Sequence, residues 1–279
     1  MSGARYTLDD LLMLMAVLRD PQQGCPWDVK QDWDSIVPHT IEEAYEVADA
    51  IERRAFDELP GELGDLLFQV IYYSQFGSEE GRFGFHDIVH VLTEKMLRRH
   101  PHVFPDGHLQ SRREGVSAAD VETHQVNSRW ESLKQREREA RVDTGHGYPS
   151  ALDDVPRALP AMTRAMKLSK RTARVGFDWP DTRGVMAKLE EELGEIQQAL
   201  DAGDKAHAAE ELGDLLFAAV NLARRLGVDP ERCLRGTNQR FEQRFRYLES
   251  ALADEGIRLE DAELEQMEHY WQAAKRASK

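Results

Sequence analysis

The chain is short of several things at once. Of its 279 residues only Cys25 and Cys233 are cysteines. Two thiols so far apart suggest neither a disulfide framework nor a zinc knuckle, and both read as reduced residues without a role. No apolar run approaches the roughly 18 residues that would span a bilayer, and the opening residues lack a signal-peptide pattern. Alternating apolar and polar runs, the mark of a half-buried strand, are scarce. Positive charge is short too: 36 Lys and Arg stand against 51 Asp and Glu, a formal charge of −15. Such a surface repels nucleic-acid phosphates, and a small phosphorylated ligand needs cations between it and the acids. No Ser, Cys or His constellation suggests a covalent nucleophile. These absences predict a soluble, cytoplasmic protein with no membrane or nucleic-acid partner.

What the chain has is helical period. Ile41, Ala44, Tyr45, Ala48 and Ile51 fall at steps of three and four, as do Leu63, Leu66, Leu67, Val70 and Ile71. Thr40 and Glu43 have the form of a capping box, with Pro38 just upstream, so a helix is predicted to begin near Thr40. Pro60 and Gly61 precede the next, which should run to about Ser74. Breaks at 78–85 and 98–108 bound another, and "RWESLKQREREAR" (129–141) closes the first half. The small, polar "VDTGHGYPS" opens a linker, 142–157, between domains spanning 1–141 and 158–279. A further acidic helix should start near Thr182. His86, His90, His100, His102 and His124 show no paired ligand spacing. The basic "KLSKRTAR" (167–174) reads as a solvated helix face, with a phosphate contact as the alternative.

An internal repeat organises these pieces. "ELGDLLF" occurs at 62–68 and again at 211–217, and "EEAYE" at 42–46 answers "EELGE" at 191–195. Both pairs are 149 positions apart (211 − 62 and 191 − 42), so no insertion separates the copies here. "EKMLRRH" (94–100) resembles "QRFEQRF" (239–245), and "RWESLK" (129–134) resembles "YWQAAK" (270–275). The predicted fold is all-α: a tandem duplication of one helical bundle.

On a helix, residues three or four apart share a face. Glu192 and Glu195 therefore project together, as do Glu211 and Asp214 from the next helix. If the two helices pack antiparallel, four carboxylates converge, and their repulsion calls for a counterion. An all-oxygen set without Cys or His suits magnesium, or manganese, better than zinc. Glu43, Glu46, Glu62 and Asp65 repeat the set in the first copy. Acids at this spacing are common on solvated helix faces, but acids set between leucines read instead as a core-facing metal site.

The pattern E-E-x-x-E followed by E-x-x-D resembles the signature of the MazG family, within the all-α nucleoside triphosphate pyrophosphohydrolases. "GCPWD" (24–28) and the two-copy layout resemble its bacterial members. The resemblance implies hydrolysis of nucleoside triphosphates to monophosphate and pyrophosphate, with magnesium and a tight homodimer. It implies that Glu192, Glu195, Glu211 and Asp214 hold the metal and that Lys188, Arg240 and Arg244 meet phosphate. Trp271 matches a residue near the nucleotide. Arg240 departs from an expected lysine, which keeps the charge but changes the contact geometry. Glu191 or Glu192 is the candidate to accept a proton from the attacking water. The first copy has His39 where the second has Lys188, so the second copy is expected to be the main catalytic site.

Three rivals stand beside this reading. A di-iron bundle wants Glu-x-x-His, and Glu195 and Asp214 occupy the places where His would stand. A non-catalytic nucleotide-binding regulator explains the duplication but not two acid clusters. A narrower pyrophosphohydrolase, acting on dUTP or phosphoribosyl-ATP, differs only in substrate.

Overall fold

The computed structural model describes residues 5–115, 133 and 150–277. Among these are nine α-helices and no strand, the predicted class. The first unit holds α1 (Leu8–Leu18), α2 (Trp33–Glu52), α3 (Leu59–Glu79) and α4 (Phe85–Arg99). The second holds α5 (Ala161–Arg174), α6 (Thr182–Asp201), α7 (Lys205–Leu226), α8 (Pro230–Asp254) and α9 (Leu264–Ala277). The units divide between Lys134 and Gln135. Apart from Leu133, the helix expected at 129–141 and the linker residues 142–149 lie outside the described residues.

In the first unit, α1, α2 and α4 all pack on α3. Met15 of α1, Ile36 of α2 and Ile71, Tyr72 and Phe76 of α3 form the core. Each such side chain contributes about 1.5–3 kcal/mol by leaving water. Ahead of α2, Arg19 donates to the carbonyls of Asp28 (2.6 Å) and Gln31 (3.0 Å) and grips Glu79 through two bonds. Buried Asp28 accepts the Tyr72 hydroxyl. These bonds fix the "GCPWD" loop to the bundle.

Helix α2 starts seven residues earlier than the sequence suggested. Asp32 accepts from Ser35 N at 2.8 Å while Ser35 Oγ accepts from Asp32 N at 2.9 Å, so this reciprocal cap outcompetes the Thr40–Glu43 pattern. Thr40 instead donates back to Ile36 O (3.1 Å) and pairs with the Tyr73 hydroxyl (2.8 Å). Pro38 lies inside the helix and forfeits one backbone bond there. Helix α3 continues past Ser74 to Glu79.

The second unit repeats the plan with the same register. Helix α6 begins at Thr182 as expected, capped by Asp181, which accepts from Arg183 N and Gly184 N at 2.9 and 3.2 Å. Both ends of α2 and α6 are 149 positions apart (182 − 33 and 201 − 52), and so are their caps, Asp32 and Asp181. The turns that follow share a left-handed residue, Arg54 (φ 62°) and Gly203 (φ 74°), again 149 apart. Helix α7 packs on α5 and α6, and α8 on α5, α7 and α9. Val185, Ala199, Ala218, Val220, Leu248, Leu252 and Ala274 are buried among them.

Three sequence readings are adjusted here. Residues 150–157, assigned to the linker, lie against α5: Arg171 donates to the carbonyls of Ala151, Asp153 and Asp154, and Val155 is buried. "KLSKRTAR" is therefore not simply a solvated face, since Ser169 is buried and Arg171 holds that segment. The apolar stripes beside the acids are also not core. Tyr45, Leu63 and Leu67 in the first unit, and Met186, Leu193, Leu200, Leu212 and Leu216 in the second, are exposed among the described residues.

Candidate functional site

Helices α6 and α7 run beside each other and bring Glu192, Glu195 and Glu211 together, with one oxygen from each within 4.8 Å of the others. Glu192 is 2% exposed. A carboxylate so buried needs compensation, and Lys188, one turn earlier, supplies it: Nζ lies 2.7 Å from Glu192 Oε1 and 2.7 Å from Glu191 Oε1. The Lys188 ammonium holds the Glu192 carboxyl below its usual range against the opposing effect of burial. Lys188 is itself held protonated by both glutamates. Glu211 shifts upward through burial, its hydrogen bond with Glu192 and the charge of Glu195.

Asp214 does not join this set. It is exposed, one turn beyond Glu211 on α7. The structure supplies a partner that sequence reasoning missed: His207 Nε2 sits 2.8 Å from Glu211 Oε1. The signal is present in the sequence, since His207 and Glu211 stand four apart, one helical turn.

The first unit builds a related but different cluster. Glu43, Glu62 and Asp65 bring oxygens within 4.8 Å of one another, while Glu46 stands beside Glu43 and is exposed. Burial comes first, then the hydrogen bond and charge of Glu46 and the charges of Asp65 and Glu42, in raising the Glu43 carboxyl above its usual range. His39 is 3.7 Å from Glu42, and among the described residues Glu43 has no ammonium comparable to Lys188. Gln69 stands where the second unit has Ala218, directing Nε2 toward Glu43 Oε1 at 3.5 Å.

Both clusters fit a hard divalent cation. The donors are all carboxylates, and the second cluster contains a buried oxygen with no hydrogen-bond partner, Glu192 Oε2. An orphaned acceptor at such depth is costly unless something electropositive meets it.

Of the expected phosphate partners, Arg240 and Arg244 lie one turn apart on α8, which packs on α7. Arg240 is exposed and donates to Thr237 Oγ1 at 2.8 Å. Arg244 is partly buried, its Nε without a hydrogen-bond partner. Trp271 on α9 packs on Phe241 of α8, ring centroids 5.1 Å apart.

Residues 31–104 match the MazG nucleotide pyrophosphohydrolase domain, and residues 159–241 match the phosphoribosyl-ATP pyrophosphohydrolase model. Over 271 residues the chain is 48% identical to the nucleoside triphosphate pyrophosphohydrolase of Escherichia coli K12, covering 96% of this chain and 97% of that one. The chain belongs to the MazG family. It is also 37% identical over 275 residues to the nucleoside triphosphate pyrophosphohydrolase/pyrophosphatase MazG of Thermotoga maritima, covering 99% and 98% of the two chains. The Bacillus subtilis protein YabN is 39% identical over 92% of this chain but 49% of its own. The two family matches fall on the two units, one in each.

Proposed function

We propose that the protein hydrolyses nucleoside triphosphates to nucleoside monophosphate and pyrophosphate, with the second unit as the main catalytic site. Glu192 carries this reading: a carboxylate 2% exposed, with one oxygen on Lys188 and the other unpaired, beside Glu195 and Glu211. Glu192, Glu195 and Glu211 would hold magnesium, or manganese, with exposed Asp214 completing the set by rotating its side chain. The cation supplies charge neutralisation on the triphosphate and lowers the pKa of water. Lys188, freed from Glu191, would take a phosphate oxygen, and Arg240 and Arg244 would take others as charge gathers on the departing pyrophosphate. Glu191, which stands outside the cluster, or Glu192 would accept the proton of the attacking water. Trp271 would flank the nucleotide.

The first unit would bind a cation through Glu43, Glu46, Glu62 and Asp65 yet turn substrate over slowly, since His39 is a weaker phosphate partner than Lys188. A homodimer accounts for the apolar faces. Met186, Leu193 and Leu200 recur every seven residues along α6, beside Leu212 and Leu216 of α7. Mid-helix Gly64, Gly194 and Gly213 support the same reading: among the described residues a Cβ at each would meet nothing within 4 Å. Glycine in a helix interior costs about 0.5–1 kcal/mol relative to alanine, and close approach of a second copy would explain keeping it. Among the described residues no helix is long and apolar enough to cross a membrane.

Phosphoribosyl-ATP is the second substrate reading, favoured by the match at 159–241. Pyrophosphate release should be followed across ribo-, deoxy- and modified triphosphates and phosphoribosyl-ATP, with and without magnesium. Broad, magnesium-dependent release supports the first reading. Turnover of phosphoribosyl-ATP alone would replace it, and no release from any substrate would leave a regulator.

A further inference from the structure

We infer that His207 is a positioning residue for the second cluster, fixing Glu211 for cation capture. The inference rests on the proposed role of that cluster as a cation site. Glu211 comes from α7, whereas Glu192 and Glu195 come from α6, so Glu211 alone carries the cluster from one helix to the next. A free glutamate samples several rotamers, and only those turned toward α6 place its oxygen within reach of the other two. His207 lies one turn before Glu211 on the same face and holds Oε1 at 2.8 Å. That contact fixes one oxygen, and the carboxylate keeps further lone pairs for the cluster. A neutral imidazole does this through its Nε2–H, and it keeps that bond when a cation arrives because it is not a competing ligand in this tautomer.

The repeat supplies an internal contrast. The position 149 residues before His207 is Glu58, whose carboxylate pairs with Arg53 at 2.8 Å. Glu62 accordingly has no imidazole or ammonium partner four residues upstream. Gln69 instead reaches the first cluster from α3, toward Glu43. The two units thus differ in which acid is oriented and by what: an imidazole on the α7 glutamate in one, an amide on the α2 glutamate in the other. His207 is half exposed, so its replacement leaves the bundle core untouched.

The test uses the full chain carrying Glu43→Gln and Asp65→Asn, which leaves the second cluster as the site under titration. Calorimetric Mn²⁺ binding without nucleotide is measured for this protein and for versions with His207→Ala or His207→Gln added. Glutamine can donate to Glu211 across one turn. The alanine version should bind Mn²⁺ about 10-fold or more weakly, in line with loss of a ligand-orienting partner. The glutamine version should stay within about three-fold of the parent. In steady state, alanine should raise the magnesium requirement by the same factor while kcat at saturating magnesium changes by less than about three-fold. Equal Mn²⁺ affinity in the parent and alanine proteins would overturn the inference, as would glutamine failing to rescue. A raised KM for nucleotide with unchanged Mn²⁺ binding would make His207 a substrate contact and equally overturn it. If the parent itself binds no Mn²⁺, the cation-site reading fails first, and the role of His207 falls with it.

Discussion

Lys188 Nζ bridges Glu191 and Glu192 at 2.7 Å from each, whereas His39, its counterpart in the first unit, lies 3.7 Å from Glu42. The buried Glu192 of the second unit is therefore compensated from within its own helix, whereas among the described residues the half-buried Glu43 of the first has no such ammonium. The difference in catalytic expectation between the copies follows from this one exchange of side chains.

Lys188→Met should cost at least about ten-fold in kcat/KM, the scale of losing one charged donor to the triphosphate. It should also lower Tm when divalent cations are chelated, because Glu192 would be left buried with no partner. Magnesium should restore most of that Tm, which differential scanning fluorimetry with and without chelator would measure. A Tm deficit that magnesium does not reduce would contradict the pairing.

Glu192→Gln should remove activity by about 10³-fold if the cation is lost with it, with circular dichroism unchanged. Glu43→Gln in the first unit should cost far less. Equal losses from the two would mean that catalysis is shared between the copies.

Glu43 gives a pH test with the opposite sign to an ordinary salt-bridged acid. Its carboxyl is raised by burial and by neighbouring acids, so its ionised form destabilises the fold. That destabilisation is fully present above the raised folded pKa, declines as pH falls through it, and is gone below the unfolded value. In chelator at pH 7, Glu43→Gln should therefore be more stable than the parent chain. The gap in Tm should close as pH falls toward the usual glutamate range, and added magnesium should stabilise the parent more than the variant.

Arg54 adopts φ 62°, the left-handed conformation that Gly203 takes at the same turn of the other unit. Arg54→Gly should relieve about 1 kcal/mol of backbone strain, offset in part by the extra freedom of glycine in the unfolded chain. Urea denaturation should show unchanged or higher stability. A clear loss would mean that the Arg54 contact with the Phe56 ring, 6.0 Å away, outweighs the strain.

Leu193 is 56% exposed in the middle of the α6 stripe. Leu193→Glu should convert a dimer to monomer in light scattering, with little change in helix content. A wild-type chain that is already monomeric would remove the dimer proposal directly.

The sequence disclosed the helical class, the repeat and the acids, because those depend on local period and on letters that recur. It misplaced the start of α2 although the needed information was there: Asp32 stands 149 residues before Asp181, and carrying the register from the correctly placed Thr182 gives Trp33. The Thr40–Glu43 pattern lost because a cap requires Thr40 to leave the helix, and its hydroxyl is engaged by Ile36 and Tyr73. Contacts between distant positions were illegible. Nothing in the spacing of Arg19 from Glu79 or of Arg171 from Asp153 reveals that one pins the entry loop of α2 and the other folds residues 150–157 onto α5. Periodicity likewise could not distinguish an apolar stripe that faces a core from one left bare, since both obey the same spacing.

Helices α2 and α6 are the same length, begin behind the same cap and end at the same kind of turn. They are cassettes in one register. Grafting residues 182–201 over 33–52 would carry Lys188, Glu191, Glu192 and Glu195 into the first bundle, at the cost of the Ser35 half of the Asp32 cap and of the Trp33 bond to Glu80. One molecule thus contains two versions of a single helix pair, each a built-in reference for the substitutions that distinguish the other.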